Sequence, residues 1–150
     1  MNFRDFQVGQ VIHSGPYIVT QDEIISFASC FDPQWFHTDP KRASTGAWRG
    51  VIASGWHTCA IAMRLCCDGP LSNSSSIGSP GLAYLKWLAP VRPGDELSLK
   101  TRVLETRISR SGRGVLRWRW LLLNQSTTEV LDLEATSLFE LTDELEHFET

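Results

Sequence analysis

The chain has 150 residues, 42% of them apolar and six of them tryptophan, which predicts a single domain over residues 1–150 with one well-filled core. Its net charge of -3 gives no general attraction to nucleic acid or to an anionic membrane, although seven of the fourteen cations fall between Lys100 and Arg119 and eight of the seventeen acids between Glu129 and Glu149. The start MNFRDFQVGQ lacks the basic and apolar regions of a signal peptide, and no run is long enough to span a bilayer; Cys30, Cys59, Cys66 and Cys67 read as reduced thiols, so the expectation is a cytoplasmic protein.

In chain order, Phe3, Phe6 and Val8 precede Gly9, and Val11 to Thr20 carries Ile12, Tyr17, Ile18 and Val19 around Gly15-Pro16, which predicts a short, broken first strand. Thr20 with Glu23 in the capping-box position starts a helix, and Ile24, Ile25, Phe27, Ala28 and Phe31 carry it over roughly residues 21–30. Pro33 turns the chain out of that helix at Asp32. From Asp32 to Gly50 we expect a structured loop with one helical turn over Pro40 to Ser44, capped by Asp39.

The stretch Gly50 to Pro70, GVIASGWHTCAIAMRLCCDGP, is the centre of the chain. After Ser54, which can cap its first turn, it is interrupted only by His57, Thr58 and Arg64 before the stop signals Asp68-Gly69-Pro70, the pattern of a helix buried on every side. Leu71 to Gly81, rich in Ser and Gly, is expected to be a mobile connection. Strands are predicted over Leu82 to Leu88, Glu96 to Ile108, Val115 to Leu123 and Val130 to Leu141, paired antiparallel through short connections. Within them Arg117-Trp118-Arg119-Trp120 places both Arg on one face and both Trp on the other. An antiparallel sheet with one apolar face and one apolar helix to cover gives an α+β class.

Asp32 and His37 are five residues apart, so they can converge only in irregular backbone, which Pro33 and Pro40 supply. A carboxylate beside an imidazole suits activation of a water molecule; from spacing alone, a turn-closing Asp32 and a satisfied loop His37 fit as well. At the start of the central helix, backbone N–H groups near Gly55 lie at the positive end of the helix dipole, where a ligand carbonyl can approach, although an ordinary helix-start glycine also fits. His57 reads as a satisfied core histidine, and His13 and His147 carry no partner pattern. No cluster has metal-ligand spacing, so no metal or redox cofactor is expected.

These features, with Phe3-x-x-Phe6-x-Val8-Gly9, the Gly50-Val51-Ile52-Ala53-Ser54-Gly55 approach to the helix, Ala43 six residues beyond His37 and Pro90-Val91-x-Pro93-Gly94-Asp95 before a strand, resemble the MaoC-like, or (R)-specific enoyl-CoA hydratase, family. The resemblance implies a hot dog fold, a curved antiparallel sheet wrapped around one long helix, with subunits paired into a homodimer through their sheets. It also implies that Asp32 and His37 activate water for addition to a 2-enoyl thioester such as an acyl-CoA, and that the Gly55 N–H, with Ser54 beside it, meets the thioester oxygen. Where the family favours small residues before the aspartate, then Asn-Pro and an aliphatic residue before the histidine, this chain has Phe31 and Gln34-Trp35-Phe36, so Phe31, Trp35 and Phe36 are expected to shape the acyl pocket. The alternatives are a hot dog thioesterase, which would release free thiol, and a noncatalytic module whose Arg and Trp hairpin holds single-stranded nucleic acid. One or two of the cations between residues 100 and 119 could instead meet the phosphates of CoA.

Overall fold

A computed structural model describes residues 1–141; His147 lies outside them. Helices α1 (Gln21–Phe31), α2 (Trp35–Thr38), α3 (Pro40–Ala43) and α4 (Gly55–Asp68) accompany strands β1 (Val11–Ile18), β2 (Ser76–Trp87), β3 (Glu96–Ile108), β4 (Gly114–Leu123) and β5 (Glu129–Phe139). All strand pairs are antiparallel, in one five-stranded sheet of order β1-β3-β4-β5-β2. The first strand is irregular where expected, its register shifting between Ser14 and Tyr17.

Period-two alternation sends Leu97, Leu99, Thr101 and Val103 of β3 and Leu116, Trp118, Trp120 and Leu122 of β4 to the buried face. There they meet Ile61, Ala62, Leu65 and Cys66 of α4, giving the hot dog arrangement of one sheet curved around one helix. Phe6 closes one end, packed edge-on against Trp118 with ring centroids 5.5 Å apart. On the outer face, Arg117 pairs with Glu105 and Glu134 and Arg119 pairs with both oxygens of Asp132. The Trp pair behind them is buried, so this face shows two paired arginines and no stacking platform from Trp118 and Trp120.

Three expectations are corrected. Residues 76–81 belong to β2 instead of a mobile connection, because β5 supplies their ladder and an edge strand tolerates Gly78, Pro80 and Gly81 with local register shifts. β2 does not pair with β3, its successor; it forms the far edge beside β5, while β1 occupies the free side of β3. The central helix is not buried all round. It lies against β1 and β3, and Trp56, Met63, Arg64 and Cys67 on its other side are exposed.

Candidate active site

The site is assembled where α1 ends and α4 begins. Thr20 caps α1 by accepting the Glu23 N–H at 3.2 Å. The Glu23 carboxylate does not close the expected box, since it accepts from the Tyr17 hydroxyl at 2.6 Å and meets His57. At the other end the Asp32 N–H donates to Ala28 O at 2.8 Å, after which the backbone leaves the helix ahead of Pro33. The short helix α2, which sequence patterning did not reveal, then swings His37 back toward Asp32. His37 Nε2 and Asp32 Oδ2 stand 3.2 Å apart.

The second imidazole nitrogen is fixed by backbone. Nδ1 lies 2.6 Å from the carbonyl oxygen of Ile52, which only accepts, so Nδ1 carries a proton and the ring is turned with Nε2 toward Asp32. The segment Val51–Ala53 is held from both sides, Ile52 N–H donating to Phe36 O and Ala53 N–H to Val91 O. One short buried stretch therefore orients His37 and delivers the chain to Gly55.

Burial pushes the Asp32 carboxyl up, but the Gln34 amide at 2.7 Å, the Ser54 hydroxyl and His37 outweigh it and hold Asp32 below the ordinary range. The pair thus presents a carboxylate and a hydrogen-bond-oriented imidazole. Ser54 does not cap α4; its fully buried hydroxyl has no partner in hydrogen-bond geometry, yet it is near enough to Asp32 to favour the charged form.

Asp32, His37 and Gly55 line one cleft of about 400 Å³. Gly55 is the first residue of α4, so its N–H has no intrahelical acceptor. A side chain at this position would place its Cβ 2.5 Å from the Trp87 ring, and the Trp87 indole N–H donates to Gly55 O at 2.9 Å. Glycine is required for this close packing at the mouth of the cleft.

The aromatic residues expected at the acyl pocket lie away from this cleft. Phe31, Trp35 and Phe36 do not line the cleft, and neither does Ser54. Phe31 points outward at the end of α1 against Phe27, Trp35 covers Gly46 beneath Arg42, and Phe36 lies tilted against the His37 ring. The apolar wall comes from Trp48, Trp56, Trp87 and Val91, with the buried Thr58 one turn into α4. Trp56 was not anticipated, although it adjoins Gly55 in the sequence; Trp48 and Trp87 arrive through long-range packing that has no local signature.

The profile of the family described as MaoC like domain matches residues 5–117. Over 138 residues the chain is 33% identical to the uncharacterized protein YdeM of Bacillus subtilis, covering 92% of this chain and 98% of that one. The crystal structure of a MaoC-like dehydratase from Rhodospirillum rubrum superposes with a TM-score of 0.86 at 36% identity, covering 93% of this chain and 97% of the other. A shorter match, 44% identical over 48 residues, covers 31% of this chain and 32% of the 3-hydroxyacyl-thioester dehydratase Z of Mycobacterium tuberculosis.

Proposed function

The chain belongs to the MaoC-like domain family, and from that premise we propose that it is a hydro-lyase interconverting a 2-enoyl thioester and its 3-hydroxyacyl counterpart, with acyl-CoA as the natural form. The observation that carries this reading is the 3.2 Å approach of Asp32 Oδ2 to His37 Nε2 on the wall of the cleft that Gly55 also lines. The dehydratase names of the Rhodospirillum rubrum and Mycobacterium tuberculosis proteins point to the same reaction class.

In the hydration direction, a water held between Asp32 and His37 loses a proton to one of them as its oxygen attacks C3 of the enoyl group. The C2=C3 π electrons move toward the thioester carbonyl, and the enolate oxygen accepts the Gly55 N–H at the positive end of α4. The pair then returns a proton to C2. One C–O and one C–H bond form, one O–H bond of water and the C2=C3 π bond break, and no oxidant or reductant enters the balance.

The side chains at hand favour this over thioester hydrolysis, because two proton-handling groups on one wall match the transfer of both parts of water across a double bond. The test is loss of enoyl-thioester absorbance over a panel from crotonyl-CoA to long and branched 2-enoyl-CoAs, with free thiol assayed in parallel. Consumption of at least one enoyl-CoA without thiol release is expected. Thiol release from saturated acyl-CoA would instead identify a thioesterase.

We also propose that the working unit is a homodimer. Among the described residues the outer edge of β2 is unpaired, and on it the exposed Leu82 shares an apolar cleft with Trp56 and Met63 of α4. Joining two such edges would satisfy the backbone and cover the apolar side chains.

A further inference from the structure

The proposed chemistry depends on two helix ends: Asp32 follows α1, and Gly55 begins α4. The contacts that dock the first turn of α4 onto α1 are therefore contacts that set the distance between carboxylate and oxyanion donor. They centre on His57, which is 3% exposed. Its Nε2 lies 2.9 Å from Glu23 Oε1 in the first turn of α1, and its ring lies flat on Phe27 with centroids 4.6 Å apart and planes within 9°. The same Glu23 oxygen accepts from the Tyr17 hydroxyl of β1, and that bond, with burial, pushes the Tyr17 phenol up to about 12. Phe27 in turn packs on Phe31, the residue before Asp32.

A histidine that only filled space here would be costly. Its Nδ1 is buried with no partner among the described residues, and its Nε2 takes up a carboxylate that solvent would otherwise hydrate. A leucine could pack on Phe27 without either cost. What histidine adds is direction, since a carboxylate only accepts; the proton belongs on Nε2, and the ring can satisfy Glu23 in one orientation. Only Trp56 separates His57 from Gly55, so turning the first turn of α4 would break the bond and move the Gly55 N–H together.

We propose that His57 is a positioning residue: bound by Glu23, which Tyr17 holds in turn, and seated on Phe27, it locks the first turn of α4 so that the Gly55 N–H faces the substrate held by Asp32 and His37. The inference rests on the hydratase reading of that site. A misplacement of order 1 Å costs about 100-fold in rate, so partial release of this lock is expected to cost about tenfold.

The test uses His57→Leu, Glu23→Ala and Glu23→Gln in the full chain. His57→Leu is expected to melt at or above the wild-type temperature yet lose about tenfold in kcat, with KM changed by less than about twofold. Glu23→Ala should show the same loss, Glu23→Gln, whose amide oxygen still accepts from Nε2, should recover most of it, and the double variant should be no worse than either single change. Wild-type kcat in both His57→Leu and Glu23→Ala would overturn the proposal. A second readout does not need turnover: the Gly55 and Trp56 amide resonances should move in Glu23→Ala and return in Glu23→Gln. An unmoved Gly55 resonance would overturn the lock even if the wild type is active. A wild type silent on every enoyl thioester would overturn the hydratase reading and the catalytic half of this one, while the Gly55 resonance would still decide whether His57 positions that amide.

Discussion

Asp32 owes its charge to a few neighbours. Burial disfavours the carboxylate, and the Gln34 amide, Ser54 hydroxyl and His37 reverse the balance, leaving it below its ordinary value. Gln34 is the accessible partner, with its Nε2 2.7 Å from Asp32 Oδ1. Because that bond favours the charged form, Gln34→Leu should raise the Asp32 pKa and move the acid limb of the kcat/KM profile to higher pH, with activity near pH 8 little changed. A limb that stays in place, or moves to lower pH, would mean that Asp32 does not govern it. The irregular backbone that lets the pair converge was legible in the sequence from Pro33 and Pro40, whereas spacing alone left a turn-closing Asp32 and a loop His37 equally open, and the 3.2 Å approach comes from the structure. The aromatic wall was not legible: Phe31, Trp35 and Phe36 are neighbours of the pair in sequence, but helix geometry turns them to other surfaces, and Trp48 and Trp87 come from segments that meet only after the chain has folded.

Among the elements, β3 and β4 were legible because apolar and polar residues alternate over residues 97–103 and 116–120, which favours a register that buries Leu97, Leu99, Trp118 and Trp120 together. The first half of β2 was not, because an edge strand exposed along most of its length needs no alternation, and its Ser and Gly content resembles a loop. The ladder joining β4 and β5 carries a charge that ties fold stability to pH. Arg119 binds both oxygens of Asp132, and with the Tyr84 hydroxyl it outweighs burial and holds Asp132 below the ordinary carboxylate range. A carboxylate depressed in the fold binds fewer protons there than in the unfolded chain, so its contribution is fully present above an unfolded pKa of about 3.9 and fades as pH falls through the lower folded value. Asp132→Asn should therefore lower the melting temperature at pH 7 and flatten its dependence on pH between about 2 and 4. An unchanged acid slope in that variant would assign the dependence to other groups.

For the molecule as a whole, the sequence pointed to one helix wrapped by one sheet, and the structure has that arrangement, with the helix covered on one side only. The exposed side, where Trp56 and Met63 stand near Leu82 of the open β2 edge, is the surface on which a second copy is expected to settle. Sedimentation should accordingly give twice the chain mass of 16.9 kDa, and Leu82→Arg should return the monomer by placing a charge in the contact. A wild-type monomer at micromolar concentration would contradict the dimer without touching the chemistry. No helix among the described residues is long and apolar enough to cross a membrane. The central claim is that Asp32 and His37 move the proton of water onto and off a 2-enoyl thioester. The measurement that tests it most directly is hydration of the best enoyl-CoA by wild type and by Asp32→Asn, with circular dichroism checking that both fold alike. The account predicts a loss of about 10² to 10⁴ in kcat in the variant; hydration at the wild-type rate by a folded Asp32→Asn protein would contradict it.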